Sequence, residues 1–137
     1  MKATTALLLV LALAATLAAA KDEAFPILIT NEGPGALSLN GTRVECGGSA
    51  SVSKVPETVG GFKKGRFEYR QRPGDLQAWC RVTWSYEDGS GCQFQFMVDT
   101  ESHVIYHNYI ETFLTVSCST ENKWPNMFFS IKPKEDE

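Results

Sequence analysis

The side chains with the most reactive chemistry in this 137-residue chain are four cysteines, Cys46, Cys80, Cys92 and Cys118. Zinc sites use close pairs such as C-x-x-C, and the shortest gap here runs from Cys80 to Cys92, so the spacing argues against a cysteine-bound metal. An even number of cysteines in a small exported domain predicts two disulfides and leaves no thiol for nucleophilic catalysis. Three pairings are possible, and the sequence does not choose between them.

Export is indicated by the first twenty residues. A positive charge at Lys2 precedes an apolar run from Ala6 to Leu17, and small residues at 18–20 come next. This order predicts a signal peptide over residues 1–20, with Lys21 as the first mature residue. The run is shorter than the roughly 20 residues that a spanning helix needs, although an uncleaved anchor is an alternative. We therefore expect a secreted, extracellular protein with no membrane span.

The remaining 117 of the 137 residues suit one domain. Because Lys2 is one of the 13 basic residues, the mature chain carries 12 basic against 16 acidic residues, a net charge of −4. That balance argues against nucleic acid as a partner, since nucleic-acid binding draws on clustered positive charge.

The two histidines, His103 and His107, stand four residues apart. On one helix face they could form a zinc pair, but on a strand they would lie roughly 13 Å apart at about 3.3 Å per residue. We expect two partly exposed polar residues, with no metal and no cofactor. No G-x-S-x-G motif occurs, and no carboxylate spacing marks an acid–base pair, so no catalytic residue is predicted. A glycosidase pair assembled by folding stays open.

A basic segment runs from Lys63 to Arg81 and contains two acidic residues, Glu68 and Asp75. Such a segment can contact an acidic receptor, an anionic glycan or lipid headgroups. The alternative is a solvated sheet face whose charges discourage edge pairing. The candidate binding residues are Lys63, Lys64, Arg66, Arg70, Arg72 and Arg81.

Asn40 and Gly41 lie between two alternating runs and predict a type I′ hairpin over residues 37–44. In that hairpin Leu37 pairs with Val44, and Cys46 points into the core. Asn40 also begins the sequon Asn-Gly-Thr, which makes it a candidate glycosylation site at the tip of the hairpin.

Alternating apolar residues predict further strands, joined by turns rich in Gly, Pro and Asn. Segment 101–111 fits a helix about as well as a strand, and strand is favoured by its β-branched and aromatic residues. If Tyr86 pairs with Cys92, Cys80 lies opposite Val98, which disfavours a Cys80–Cys92 bond. The predicted strands are 25–30, 66–72, 79–86, 92–98, 112–118 and 127–131, with a short one near 52–55.

These strands predict an all-β fold, a small antiparallel β-sandwich or barrel stabilised by two disulfides. A single domain over 21–131 would precede a mobile charged tail, 132–137. Trp84 falls on the apolar face of its strand and is predicted to lie in the core. Trp79 points the other way, either covered by loops or exposed for recognition.

The order of several segments resembles the plant self-incompatibility S-protein homologue family. The resemblance implies a small secreted β-sandwich with two disulfides that acts as a ligand for a cell-surface receptor. The segments that carry it are Ile27–Asn31, Val44–Cys46, Phe67–Tyr69 and Cys80–Trp84.

We therefore expect a secreted binding protein, acting as an extracellular ligand, effector or defence factor. Its partner would be an extracellular protein receptor or an anionic glycan surface. One alternative is a carrier that encloses a small apolar ligand between faces bearing Phe94, Phe96 and Leu114. A secreted hydrolase or a toxin is a further alternative.

Overall fold

The computed structural model describes residues 21–41, 44–113 and 115–134, so the expected signal peptide lies outside the described residues. The described residues form eleven β-strands and no α-helix. The strands are β1 (Glu23–Asn31), β2 (Leu37–Leu39), β3 (Glu45–Gly47), β4 (Ser51–Ser53), β5 (Thr58–Val59), β6 (Lys64–Gln71), β7 (Trp79–Ser85), β8 (Gly91–Asp99), β9 (Val104–Thr112), β10 (Val116–Lys123) and β11 (Asn126–Pro133).

The strands form two sheets that pack face to face, as the predicted sandwich requires. The first sheet has the order β10-β11-β1-β6-β4, and the second has the order β5-β2-β7-β8-β9, with β3 also paired to β7. Only the β1–β11 pair is parallel among the described pairs. The prediction of an all-β sandwich is confirmed.

The core consists of the inward-facing residues, which alternate with outward-facing ones along the strands. Phe94 on β8 stacks on Phe129 of the opposite sheet, with ring centroids 4.5 Å apart and planes within 6°. Phe96 packs on the same ring at 5.4 Å. Trp84 is fully buried, as predicted, and lies edge-on to Phe67. Aromatic side chains therefore fill the space between the sheets.

Both predicted disulfides are present, and the described residues contain no free cysteine. Cys92 on β8 bonds Cys118 on β10, which links one sheet to the other. Cys46 bonds Cys80 directly across the β3–β7 pair. Cys46 lies on the core-facing side of the sheet, directly opposite the buried Cys80, but it is itself exposed because β3 is a short edge strand.

Side chains also join the two sheets along one edge, where β9 lies beside β10. Asn122 donates through Nδ2 to the Ile105 carbonyl at 3.2 Å. Glu111 Oε1 accepts a hydrogen bond from the Cys118 backbone at 3.1 Å. These contacts partly satisfy the free edges of both strands and reduce their tendency to pair with another chain.

The predicted hairpin over residues 37–44 is wrong. Leu37 pairs with Val59 on β5, and Leu39 pairs with Trp84 on β7. Both β2 and β3 run along the same side of β7, and the register shifts by three residues between them, so the ladder is not continuous from β2 to β3. The long apolar strand β7 offers more burial than the local turn, which explains why tertiary pairing overrides the Asn-Gly signal. Residues 42 and 43 lie outside the described residues.

Several other strands differ from the predictions in their bounds or in their register. The ambiguous segment is a single strand, β9, and β10 begins at Val116 rather than at residue 112. In the β7–β8 hairpin Trp84 lies opposite Cys92, two residues from the predicted register. Cys80 accordingly faces Phe96, so the expectation that it does not face Cys92 holds. Strand β11 continues to Pro133, into the segment expected to be a tail.

Candidate binding surfaces

The structure does not bring the six basic residues into one patch. Residues 64, 66 and 70 follow the outer face of β6, where Arg70 forms an ion pair with Glu68 at 3.0 Å. Arg72 is exposed beyond the end of that strand. Arg81 belongs to the other sheet, where it forms an ion pair with Glu45 at 3.4 Å. Only the residues from Lys63 to Arg70 lie together on one surface, and there Glu68 stands between Arg66 and Arg70 and pairs with Arg70.

The loop that begins this basic surface presents an exposed aromatic ring. Phe62 is 72% exposed and has a φ of 57°, a conformation that bulky L residues rarely adopt. Its backbone N–H donates to the Gly33 carbonyl at 2.9 Å. The next residue, Lys63, donates to Gly60 and accepts from the Asn31 backbone at 2.9 Å. The loop is held on both sides while the ring faces solvent.

A buried asparagine organises the same end of the sandwich. The Asn31 side chain donates through Nδ2 to the carbonyls of Gly35, Val59 and Gly60, at 2.7, 3.0 and 3.1 Å. Its Oδ1 accepts from the Gly33 backbone at 3.0 Å and from Tyr86 Oη at 2.8 Å. One fully buried amide therefore fixes the loop after β1, the loop before β6 and the β7–β8 hairpin.

The tyrosine of this network is held in its neutral form. Burial, followed by the nearby charge of Glu32, raises the pKa of Tyr86 to about 12. The neutral hydroxyl can therefore donate to Asn31 at any physiological pH.

A second exposed ring lies at this end. Phe113 is 63% exposed, has a φ of 65° and follows β9, whose residue Thr112 pairs with Gly91. Its ring lies beside Gly89 in the β7–β8 hairpin. We call the surface that carries Phe62 and Phe113 the apolar end. Sequence reasoning missed both residues, because Phe62 lies in a segment without periodicity and Phe113 was assigned to the predicted strand 112–118; the signal at Phe62 was an aromatic residue directly after two glycines.

The two histidines lie in different environments. His103 is in the turn before β9 and stacks on Trp124 with ring centroids 4.7 Å apart. His107 is on β9, and its Nδ1 lies 2.7 Å from Thr120 Oγ1. Burial lowers the pKa of His107. Among residues 21–41, 44–113 and 115–134, no cluster of three or more potential metal ligands occurs.

The remaining candidates are single residues. Asn40 is exposed and lies on the segment between β2 and β3, not at a hairpin tip, and its backbone N–H donates to Thr83 at 3.0 Å. Trp79 is half-buried on the outer face of the second sheet, opposite in direction to Trp84. The Arg81 guanidinium lies 5.3 Å from the Trp79 ring centroid.

No protein-family model matches this chain, and no curated protein matches it. Among solved structures the chain is similar to the lipid binding protein Nakanori, with a TM-score of 0.50 and 8% sequence identity. The similarity covers 79% of this chain and 70% of the other. At that identity the similarity concerns the fold alone. Within the described part of the chain, no helix has the length and apolarity to cross a membrane.

Proposed function

We propose that this protein is an extracellular binding protein, acting as a ligand, effector or defence factor, that contacts the lipid surface of cells with its apolar end. The observation that carries the proposal is the exposure of the Phe62 ring on a fixed loop. Its ring is exposed on a loop that hydrogen bonds hold on both sides.

The free-energy cost of the Phe62 backbone conformation indicates that the shape of this loop serves binding. A left-handed conformation costs an L residue about 1–2 kcal/mol. Phe62 bears that cost and gains little burial within the described chain, where it is 72% exposed. Strain of this kind is concentrated at binding sites. Insertion of the ring into a membrane interface would bury it, which stabilises the bound state by about 25 cal/mol per Å² of apolar surface removed from water.

The charges next to Phe62 suit an anionic lipid surface. Lys63 and Lys64 follow the ring directly and are both exposed. Each cation close to an anionic membrane contributes about 1 kcal/mol. The combination of an apolar ring with flanking lysines is typical of proteins that lie on a membrane surface without spanning it.

Two further observations support the proposal. The two disulfides are typical of an oxidising, extracellular environment, as expected from the predicted signal peptide. One solved structure with a similar fold is that of a lipid binding protein. An internal carrier is less favoured, because Phe94 and Phe96 pack against Phe129 where the ligand would have to lie.

A second candidate is a protein receptor or an anionic glycan bound by the outer face of β6. The observation that favours it is the exposure of Lys64, Arg66 and Arg70 along one strand face. Binding of that kind would depend on salt and on these charges, but it would not need the aromatic ring.

Vesicle flotation separates the two candidates. Vesicles of phosphatidylcholine, alone or with phosphatidylserine, are mixed with the wild type, with Phe62→Ala and with Leu76→Ala. Leu76 is a matched control, since it is 64% exposed in the loop between β6 and β7, at the opposite end of the sandwich. We expect Phe62→Ala to lower partitioning about tenfold and Leu76→Ala to leave it unchanged. Equal partitioning of all three proteins, or none, would contradict the proposal.

A further inference from the structure

The outer face of the second sheet carries a shallow groove, remote from the apolar end. Its volume is about 150 Å³, and it lies across β7, β8 and β9. Two neighbouring rows of side chains define it, one polar and one largely aromatic. The side chains of these rows that line the groove are Trp79, Gln95, Met97, Tyr106 and Asn108.

The polar row is in register across four strands. Glu45 pairs with Arg81, Arg81 pairs with Gln95, and Gln95 pairs with Asn108. Arg81 donates through Nη2 to Gln95 Oε1 at 3.0 Å and forms an ion pair with Glu45 through Nη1. This arrangement fixes the orientation of the Gln95 amide and leaves its Nε2 as a donor.

Within the described residues, neither Gln95 Nε2 nor the Asn108 side chain has a hydrogen-bond partner. A primary amide offers two N–H donors and a carbonyl acceptor, so two neighbouring amides can bind hydroxyl groups that both donate and accept. The Arg81 charge is offset by Glu45, so the groove presents no net charge of its own. Its geometry suits a polar but uncharged ligand.

The aromatic row supplies two walls. The indole of Trp79 packs on Gly47, where the Cβ of any other residue would overlap it, and the Arg81 guanidinium lies over the ring. Trp79 is therefore held in one position before any ligand binds. Tyr106 stands on the other side, 53% exposed, two residues before Asn108 on the same strand. Met97 lies between them on β8, opposite Tyr106.

We propose that this groove binds a neutral saccharide, with one sugar ring packed on Tyr106, Trp79 as the fixed opposite wall, and the sugar hydroxyls bonded to Gln95 and Asn108. A sugar ring has an apolar C–H face, which packs on the negatively polarised face of an aromatic ring, and a rim of hydroxyls. A volume of about 150 Å³ is too small for an acyl chain or a drug-sized ligand, whose pockets usually measure about 300–1,000 Å³. The absence of net charge disfavours a phosphate, sulfate or carboxylate group.

An array of neutral oligosaccharides, built from hexose and N-acetylhexosamine units, tests this site on the full-length secreted protein. The strongest binder is then titrated by calorimetry against the wild type, Tyr106→Ala and Asn108→Ala. Ile110→Ala is the matched control, since Ile110 lies on the same strand face, is 63% exposed and does not line the groove. Circular dichroism and thermal unfolding show whether each variant is folded.

We expect both groove variants to weaken saccharide binding at least about tenfold and Ile110→Ala to leave it unchanged. Affinity should not depend on ionic strength, because no ion pair forms with a neutral sugar. The site would be overturned if the folded wild type bound no neutral saccharide or only sulfated or sialylated ones. Full binding by folded Tyr106→Ala and Asn108→Ala would overturn it too, as would self-association of the protein through Tyr106.

Discussion

Tyr86 donates a hydrogen bond from Oη to Asn31 Oδ1 at 2.8 Å and so ties the β7–β8 hairpin to the loops that shape the apolar end. The same amide bonds three backbone carbonyls, and it is fully buried. Because no water can replace a lost partner at such a site, the network should be sensitive to the removal of single atoms.

Removal of the Tyr86 hydroxyl should lower stability moderately. We expect Tyr86→Phe to reduce the free energy of unfolding by about 1 kcal/mol, and Asn31→Ala by about 3 kcal/mol, because the second change leaves several buried groups unpaired. Urea denaturation measures both. Equal effects from the two variants would show that the amide does not have the organising role assigned to it.

Replacement of Phe62 by glycine should raise the stability of the fold. Since the residue has a φ of 57°, Phe62→Gly should raise the free energy of unfolding by about 0.5 kcal/mol, the relief of strain exceeding the entropy cost of glycine. Leu76→Gly, at an exposed loop residue without a positive φ, should lower it slightly. Chemical denaturation tests the pair, and a loss of stability in Phe62→Gly would argue against a strained loop.

Mild acid should weaken the fold through His107. Burial lowers the pKa of His107 in the folded state below its ordinary 6.5, so the unfolded chain binds the proton first as the pH falls. Stability is therefore complete above about pH 6.5 and declines below it. His107→Gln should remove this decline, which urea midpoints between about pH 7 and pH 5 would show. A wild-type midpoint that stays constant over that range would contradict the prediction.

A second acid transition should follow at lower pH. Hydrogen bonds from the Ser49 side chain and backbone lower the pKa of Asp75, and those from Ser90 lower the pKa of Asp88. Depressed carboxyl pKa values stabilise the fold above the ordinary value of 3.8, and the contribution is lost as the pH falls below it. The histidine and carboxylate effects therefore occupy different pH ranges and can be measured separately.

The two disulfides should be reduced in order. Cys46 is exposed, whereas Cys92 and Cys118 are both buried, and thiolate attack requires access to a sulfur atom. Limited reduction followed by alkylation and mass spectrometry should find Cys46–Cys80 opened first. Loss of either bond should cost about 2–4 kcal/mol. Reduction of Cys92–Cys118 first, or of both bonds at one rate, would contradict this order.

Much of the fold could be predicted from the sequence, because a strand that is buried on one face has an apolar residue at every second position. Phe94 and Phe96 on β8 and Phe67 on β6 show that pattern, and all three are buried. The partners of β2 could not be predicted, because the local Asn-Gly signal competes with a distant strand. The disulfide pairing depends on sheet order, which no short segment encodes.

The candidate sites were harder to predict because each combines distant segments. The basic residues were visible as a cluster in the sequence, but Arg81 belongs to a different sheet from Arg66 and Arg70. The groove joins residues of three strands, and the apolar end joins two loops. Neither Phe62 nor Phe113 has a sequence neighbour that indicates its exposure.

Two further properties stay predictions. Mass spectrometry of the protein purified from its source should find Lys21 as the first residue. It should also find a glycan on Asn40, whose exposed position between β2 and β3 is compatible with modification.

The most direct test of membrane contact is the fluorescence of a tryptophan placed at the apolar end. Phe62→Trp is compared with Leu76→Trp, so that the native tryptophans contribute the same background to both. On addition of vesicles containing phosphatidylserine, the emission of Phe62→Trp should shift to the blue and be quenched by brominated lipid, and that of Leu76→Trp should not change. Identical responses from the two variants, or a response from Leu76→Trp alone, would contradict the proposed orientation and the function built on it.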